Sequence, residues 1–217
     1  MVSALEHPVF GQIELAVRSW DFASSEKKKA DFTASCLMAS TSGGYRVILD
    51  VTQDKVSPGE RDQLVRNVAE MDGRNCHVFI EQEGGSSGKD VIFHYTKLLK
   101  EFHVEGHSPS RDKFVRAQTF SSWVQHGLVK FVRGEWNSRF FNELKSFPNG
   151  EHDDMVDASS SAFNRLATVD TWTLQGTLIA GGPTQIKPMT PKQVEEMSEG
   201  PLKNILKAAA NRPIQYR

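Results

Sequence analysis

Cysteine is scarce in this sequence: Cys36 and Cys76 are the only two in 217 residues. Both sit in apolar runs of strand character, where a thiol packs as a small hydrophobe. So few exclude a disulfide scaffold and a zinc knuckle, and predict a reducing compartment. Long apolar runs are missing too. No stretch approaches the ~20 residues of a membrane span, and the N-terminus lacks a basic segment followed by an apolar one. The expectation is a soluble, intracellular chain with no membrane partner. An excess of one charge sign is also absent, with 26 Lys+Arg against 27 Asp+Glu. Whole-chain charge therefore neither demands nor excludes a nucleic-acid partner, and local patches must decide. There is no internal repeat or long low-complexity segment. With 38% hydrophobic residues the chain can bury one good core.

Acid is concentrated in one place. Glu151-His152-Asp153-Asp154-Met155-Val156-Asp157 packs four carboxylates into seven residues at the start of a helical pattern. At 100° per residue, Met155, Val156, Ala162, Phe163 and Leu166 share one arc, and Asp153, Asp154 and Asp157 the opposite one. Capping explains Asp153 or Asp154, which offset the positive end of the helix dipole. It does not explain Asp157, a turn further in. Like charges at this spacing repel; a divalent cation reverses that sign.

Upstream, Ile13, Leu15 and Val17 alternate into a strand that delivers Asp21 at its end. Strands are also predicted over Phe32–Ala39 and Tyr45–Val51, making an antiparallel meander, with Asp50 near the end of the third. Ser57-Pro58-Gly59-Glu60 is a capping box with proline at the first helical position. Leu64, Val65, Val68 and Ala69 continue that helix to Asp72-Gly73. Cys76–Ile80 is too short for a helix, and after a crossover helix it reads as a strand parallel to one of the first three, ending at Glu81. Helices are predicted over Asp90–Phe102, Ser108–Gln125 and Ser138–Phe147, with strands near His103–Gly106 and Leu128–Val132. The fold class is α/β: a mixed sheet of five or more strands flanked by helices, spanning 13–170, with a leading segment 1–12 and a basic C-terminal extension 171–217. If the fourth strand lies beside the first, Asp21 and Glu81 become neighbours beyond the carboxyl ends of adjacent strands, the usual place for functional side chains in open α/β sheets.

Other motifs carry less. Gly84-Gly85-Ser86-Ser87-Gly88-Lys89 fails as an ATP-binding loop, because its glycines enclose only three residues and Asp90 stands where Ser or Thr would be needed. It reads either as a plain loop or as a place where DNA backbone approaches Lys89 at a helix N-terminus. Lys27, Lys28 and Lys29 read either as a solvated turn or as non-specific phosphate contacts. Glu83 is a reserve metal ligand or an exposed loop residue, and Asp50 is assigned a turn or supporting role. The four tryptophans are expected to pack.

Ser19-Trp20-Asp21-Phe22-Ala23, Ile48-Leu49-Asp50-Val51, Ser57-Pro58-Gly59-Glu60, Ile80-Glu81-Gln82-Glu83-Gly84 and His152-Asp153-Asp154-Met155-Val156-Asp157-Ala158 together resemble the nuclease domain of the large terminase subunit of tailed bacteriophages. The likeness runs in order over roughly residues 13 to 167. It implies an RNase H-like fold and a metal-dependent endonuclease that cuts concatemeric viral DNA during genome packaging, in the host cytoplasm at the procapsid. The family's first acid falls on Asp21, its second on Glu81 and its third within the late cluster, with Asp154 and Asp157 preferred and Asp153 the alternate. Two magnesium or manganese ions are the implied cofactors, since paired divalent ions ~3.5–4 Å apart serve in-line phosphodiester displacement and hard carboxylates select them over zinc. Implied partners are double-stranded DNA, the terminase ATPase motor domain, the portal protein and the small terminase subunit. Rival readings are another RNase H-like nuclease, such as a junction resolvase, and a non-catalytic docking module for portal or small terminase.

Overall fold

Nine residues of strand, Ile13–Asp21 (β1), form the axis of the molecule and are buried on both faces from Ala16 to Trp20. The computed structural model describes residues 11–22, 32–82, 86–107 and 113–179. The meander continues with β2 (Thr33–Thr41) and β3 (Arg46–Asp54), turned at Gly44 in the positive-φ conformation that glycine tolerates. Helix α1 (Pro58–Asp72) follows, then β4 (Cys76–Glu81), α2 (Ser86–Leu98), β5 (Val104–His107), α3 (Lys113–Gln125), β6 (Val129–Phe131), α4 (Asn137–Ser146) and α5 (Asp154–Ile179). The six strands lie in the order β5-β4-β1-β2-β3-β6. Neighbours β1, β2 and β3 are antiparallel, whereas β4 runs parallel to β1, β5 to β4 and β6 to β3. The expected mixed sheet is present, with six strands.

The capping box forms as predicted: the Ser57 N–H donates to Glu60 Oε2 at 2.8 Å. Helix α1 ends at Gly73, whose φ of 84° an L side chain rarely adopts. At Gly106, on β5, a Cβ would run into Ile92 of α2, so glycine sets how closely that helix packs on the sheet edge.

Strand alternation divides the core in two. Val17, Cys36, Met38 and Ile48 pack with Phe120, Phe140, Met155, Ala158 and Phe163, so α3, α4 and α5 cover one face. Trp20, Val78 and Ile80 pack with Val65, Val68, Tyr95 and Leu99, so α1 and α2 cover the other. Trp123 and Trp136 pack against the first core and Trp20 lies in the second, as expected. Among the described residues no helix is long and apolar enough to cross a membrane.

Several boundaries differ from expectation. Strand β3 continues past Val51 to Asp54, and Ser86–Lys89, expected as loop, form the first turn of α2. Helix α5 runs without a break to Ile179, where the sequence pattern weakens after Leu166.

Candidate active site at the carboxyl edge of the sheet

Alternation along β1 places Val17, Ser19 and Asp21 toward α5, and Arg18 and Trp20 toward α1 and α2. Along β4 the same rule puts Val78 and Ile80 in the α1–α2 core, and so turns Glu81 to the α5 face. Trp20 is in register with Ile80. Asp21 and Glu81 are therefore the next pair, on one face, at the ends of parallel strands spaced about 4.8 Å apart. Helix α5 crosses this edge. Ser161 Oγ donates to Glu81 Oε2 at 2.9 Å. Asp157 lies one turn earlier on the same helical side and is only 5% exposed. The arc Met155, Val156, Ala162, Phe163 and Leu166 is buried as expected, but Asp157, expected on the polar arc, is buried too.

The N-terminus of α5 sits further along the same edge, near the end of β3. Asp21 is in register with Ala34, and Ala34 with Gln53, which places Gln53 level with Asp21 two strands away. The Gln53 side chain bonds Asp154, and its Nε2 donates to Glu143 Oε2 at 3.4 Å. Burial, and then the neighbouring Asp153 carboxylate, raise the proton affinity of Asp154 above the ordinary aspartate value; His152, 3.9 Å away, works against this. The Asp153 carbonyl accepts the Asp157 N–H at 2.9 Å, which closes the first turn.

Glu143 was not anticipated from the sequence. It is 7% exposed, and its Oε1 accepts the Val156 N–H at 2.9 Å, with a further backbone bond from Met155. These are free N–H groups of the first turn of α5, so α4 supplies the cap from outside the helix. Burial raises the Glu143 proton affinity, followed by the nearby Asp154 and Asp153 charges. The available signal was a carboxylate at helical spacing between Phe140 and Leu144, on the apolar stripe of α4.

Asp50 does not join this site. It lies on the opposite face, where its Oδ2 accepts from Arg18 Nη1 at 2.9 Å, so the turn or supporting role expected of it is corrected to an interior ion pair. Arg18 also grips Asp72 through Nε at 2.7 Å and Nη2 at 2.8 Å. Burial opposes the Arg18 charge, but Asp72 and then Asp50 overcome it and hold the guanidinium protonated. Lys89 is exposed on the first turn of α2. Lys27, Lys28, Lys29 and Glu83 lie outside the described residues.

As the side chains stand, no three His, Cys, Asp or Glu among the described residues close on a single point. The donor chemistry is nonetheless uniform. Asp21, Glu81, Asp154 and Asp157 offer carboxylate oxygens at the ends of two strands and on one helical turn, which fits a hard divalent cation better than the thiolate and imidazole preferences of zinc.

Residues 18–166 match the family model described as the terminase RNaseH-like domain. The chain belongs to this family. Among solved structures, this terminase domain is similar to the large terminase nuclease of thermophilic phage G20c with bound zinc: 15% identity, a TM-score of 0.52, and 69% of this chain covered against 80% of that one. The fowlpox virus resolvase in complex with Holliday junction DNA is 10% identical with a TM-score of 0.47, covering 71% of this chain and 99% of that one. No curated protein matches the sequence. The sheet order and flanking helices of the terminase domain are those of an RNase H-like fold, in agreement with the family.

Proposed function

We propose that this terminase domain is a metal-dependent endonuclease that cuts concatemeric double-stranded DNA during viral genome packaging, in the host cytoplasm. The observation that carries the reading is the placement of Asp21 and Glu81 as neighbours on one face of the sheet edge, under the helix that bears Asp154 and Asp157. Asp21, on the central strand, bridges the site; Glu81 holds one side of it, and Asp154 with Asp157 the other. Magnesium or manganese ions bound there would lower the pKa of an attacking water and neutralise charge on the leaving 3′ oxygen. The rest of the work belongs to the chain. Ser161 fixes the Glu81 carboxylate by donating to it. Glu143 and Gln53 hold the start of α5. Asp153, at the head of that helix, is the alternate ligand.

Chemistry directed at phosphate predicts low sequence preference. Likeness to a phage terminase nuclease that binds zinc supports divalent-metal use, and the family supports partnership with an ATPase motor domain, the portal protein and the small terminase subunit. The test is conversion of supercoiled plasmid to nicked and linear forms in magnesium or manganese. Wild type should cut, and Asp21→Asn should lose cutting about 10³-fold or more with an unchanged thermal transition. Cutting by Asp21→Asn at the wild-type rate would remove Asp21 from the site.

One observation favours a second reading. The acids do not close on a common point among the described residues, as in a non-catalytic docking module for portal or small terminase. Absence of cleavage by wild type across metal and salt concentrations would establish that reading instead.

A further inference from the structure

A second group of side chains lies beside the acids and contains two cations and a histidine. Asp54, the last residue of β3, is in register with Thr33, the first of β2. The next residues outward, Lys55 and Phe32, meet beyond the carboxyl edge, with Lys55 Nζ 4.5 Å from the centre of the Phe32 ring. His152, just ahead of α5, packs edge-on to the same ring at 4.9 Å between centroids. Arg139 of α4 completes the row. Its Nη2 donates to Gln53 Oε1 at 2.7 Å, and Gln53 is the residue that bonds Asp154. Lys55, Arg139 and His152 are all exposed.

Among the described residues, neither Lys55 nor Arg139 is paired with a carboxylate, although Asp54, Asp153 and Asp154 are close in the chain or in space. Each cation is held by a neutral group instead, Lys55 by an aromatic face and Arg139 by an amide oxygen. Such holding fixes position while leaving charge available. It also answers a physical problem of the proposed site. In that reading Asp21, Glu81, Asp153, Asp154 and Asp157 meet a polyanion, so DNA must find compensating positive charge close by. Gln53, which Arg139 contacts, is level with Asp21 two strands away, about 10 Å along the edge. That is a few phosphates along a DNA strand, where neighbouring charges lie about 3.4 Å apart along the helix axis.

We propose that Lys55 and Arg139 form a phosphate-binding ridge, with His152 packed against the Phe32 ring that holds Lys55, and that the ridge seats the duplex backbone on the β3–α4 side of the acids. This rests on the nuclease reading and adds to it the surface that holds the substrate. Contacts of this kind carry no sequence information, and they appear in the salt dependence of binding. Each phosphate neutralised contributes about −0.9 to the slope of log K against log salt.

The experiment is fluorescence anisotropy of a labelled 30-base-pair duplex in EDTA, where no cutting occurs, over 50–300 mM NaCl, with plasmid cleavage in manganese run in parallel. Wild type, Lys55→Gln/Arg139→Gln, Lys55→Arg/Arg139→Lys and the remote surface variant Lys100→Gln are compared. The ridge predicts that the double glutamine variant loses about two from the magnitude of the slope, on duplexes of unrelated sequence alike. The charge-conserving double variant and Lys100→Gln should keep the wild-type slope. A double glutamine variant with the wild-type slope, or a wild type that does not bind duplex at all, would overturn the proposal. Salt-dependent binding through the ridge without cleavage by wild type would leave the ridge standing and sink the nuclease reading; cleavage with an unaffected slope would do the reverse.

Discussion

The two faces of the sheet use aspartate in opposite ways. On the α1–α2 face, Asp50 and Asp72 close on Arg18, and all three nitrogens of the fork bond an acid, Nη1 bonding Ser35 as well. The two acids share one cation, and Asp72 and Arg18 are almost fully buried. On the α5 face, acids gather with other acids: burial first, and then the Asp154 and Asp153 charges, raise the Glu143 proton affinity, and burial followed by Asp153 raises that of Asp154. Nothing in packing requires that crowding. Acids that share a buried cation hold the fold together, while acids crowded against one another lower its stability.

The comparison is broken most severely by exchanging the damage. Asp72→Asn should leave a buried guanidinium half-satisfied and cost about 3–5 kcal/mol in urea unfolding, so any fall in cutting should track the unfolded fraction. Asp21→Asn should show the reverse pattern, with cutting lost and the urea midpoint held. Should both variants lose stability equally, the division between the faces would fail.

Glu143→Ala comes next. Removing the external cap of α5 should cost about 1–2 kcal/mol and raise the manganese concentration for half-maximal cutting, because Asp154 and Asp157 lose their fixed turn. Glu143→Gln keeps one acceptor oxygen and should recover most of both. An unchanged manganese requirement in the alanine variant would show that the cap does not position the acids.

Asp154→Asn tests the crowding itself. A carboxyl that binds its proton more tightly when folded adds stability at low pH, and that advantage is lost as pH rises from the ordinary carboxylate range through its raised value. The asparagine variant should therefore melt slightly above wild type at pH 7, with the gap closing toward pH 4, while cutting falls sharply. A variant less stable than wild type at pH 7 would contradict this. The smallest effect concerns the thiols. Burial pushes Cys36 up to about 12 and raises Cys76 as well, so neither should react with a thiol reagent in the folded protein at pH 8 within minutes. Rapid labelling would show that the core opens.

The sheet was legible because its signals are local. Alternation in β1, the Ser57–Glu60 box and the short apolar run of β4 each report on a few neighbouring residues, and the crossover rule makes β4 parallel to a meander strand; that the neighbour is β1, which sets Asp21 beside Glu81, comes from the sheet itself. What depended on distant contacts was not. Asp50 carries the same strand-end signature as Asp21, and only the partner 32 residues away shows that it faces the other core. Asp157 looked solvent-facing by helical phase, but α5 lies across β1 and β2, and Asp157 is buried there. Glu143 and Gln53 lie on different elements and meet through a side-chain contact across 90 residues.

The most direct measurement is an anomalous difference map from crystals of the chain soaked in manganese. The account predicts manganese peaks at the carboxyl edge, contacted by Asp21, by Glu81 and by a carboxylate of α5, and their disappearance in Asp21→Asn. Manganese bound only elsewhere, or an empty edge at saturating metal in crystals with this face open to solvent, would contradict it.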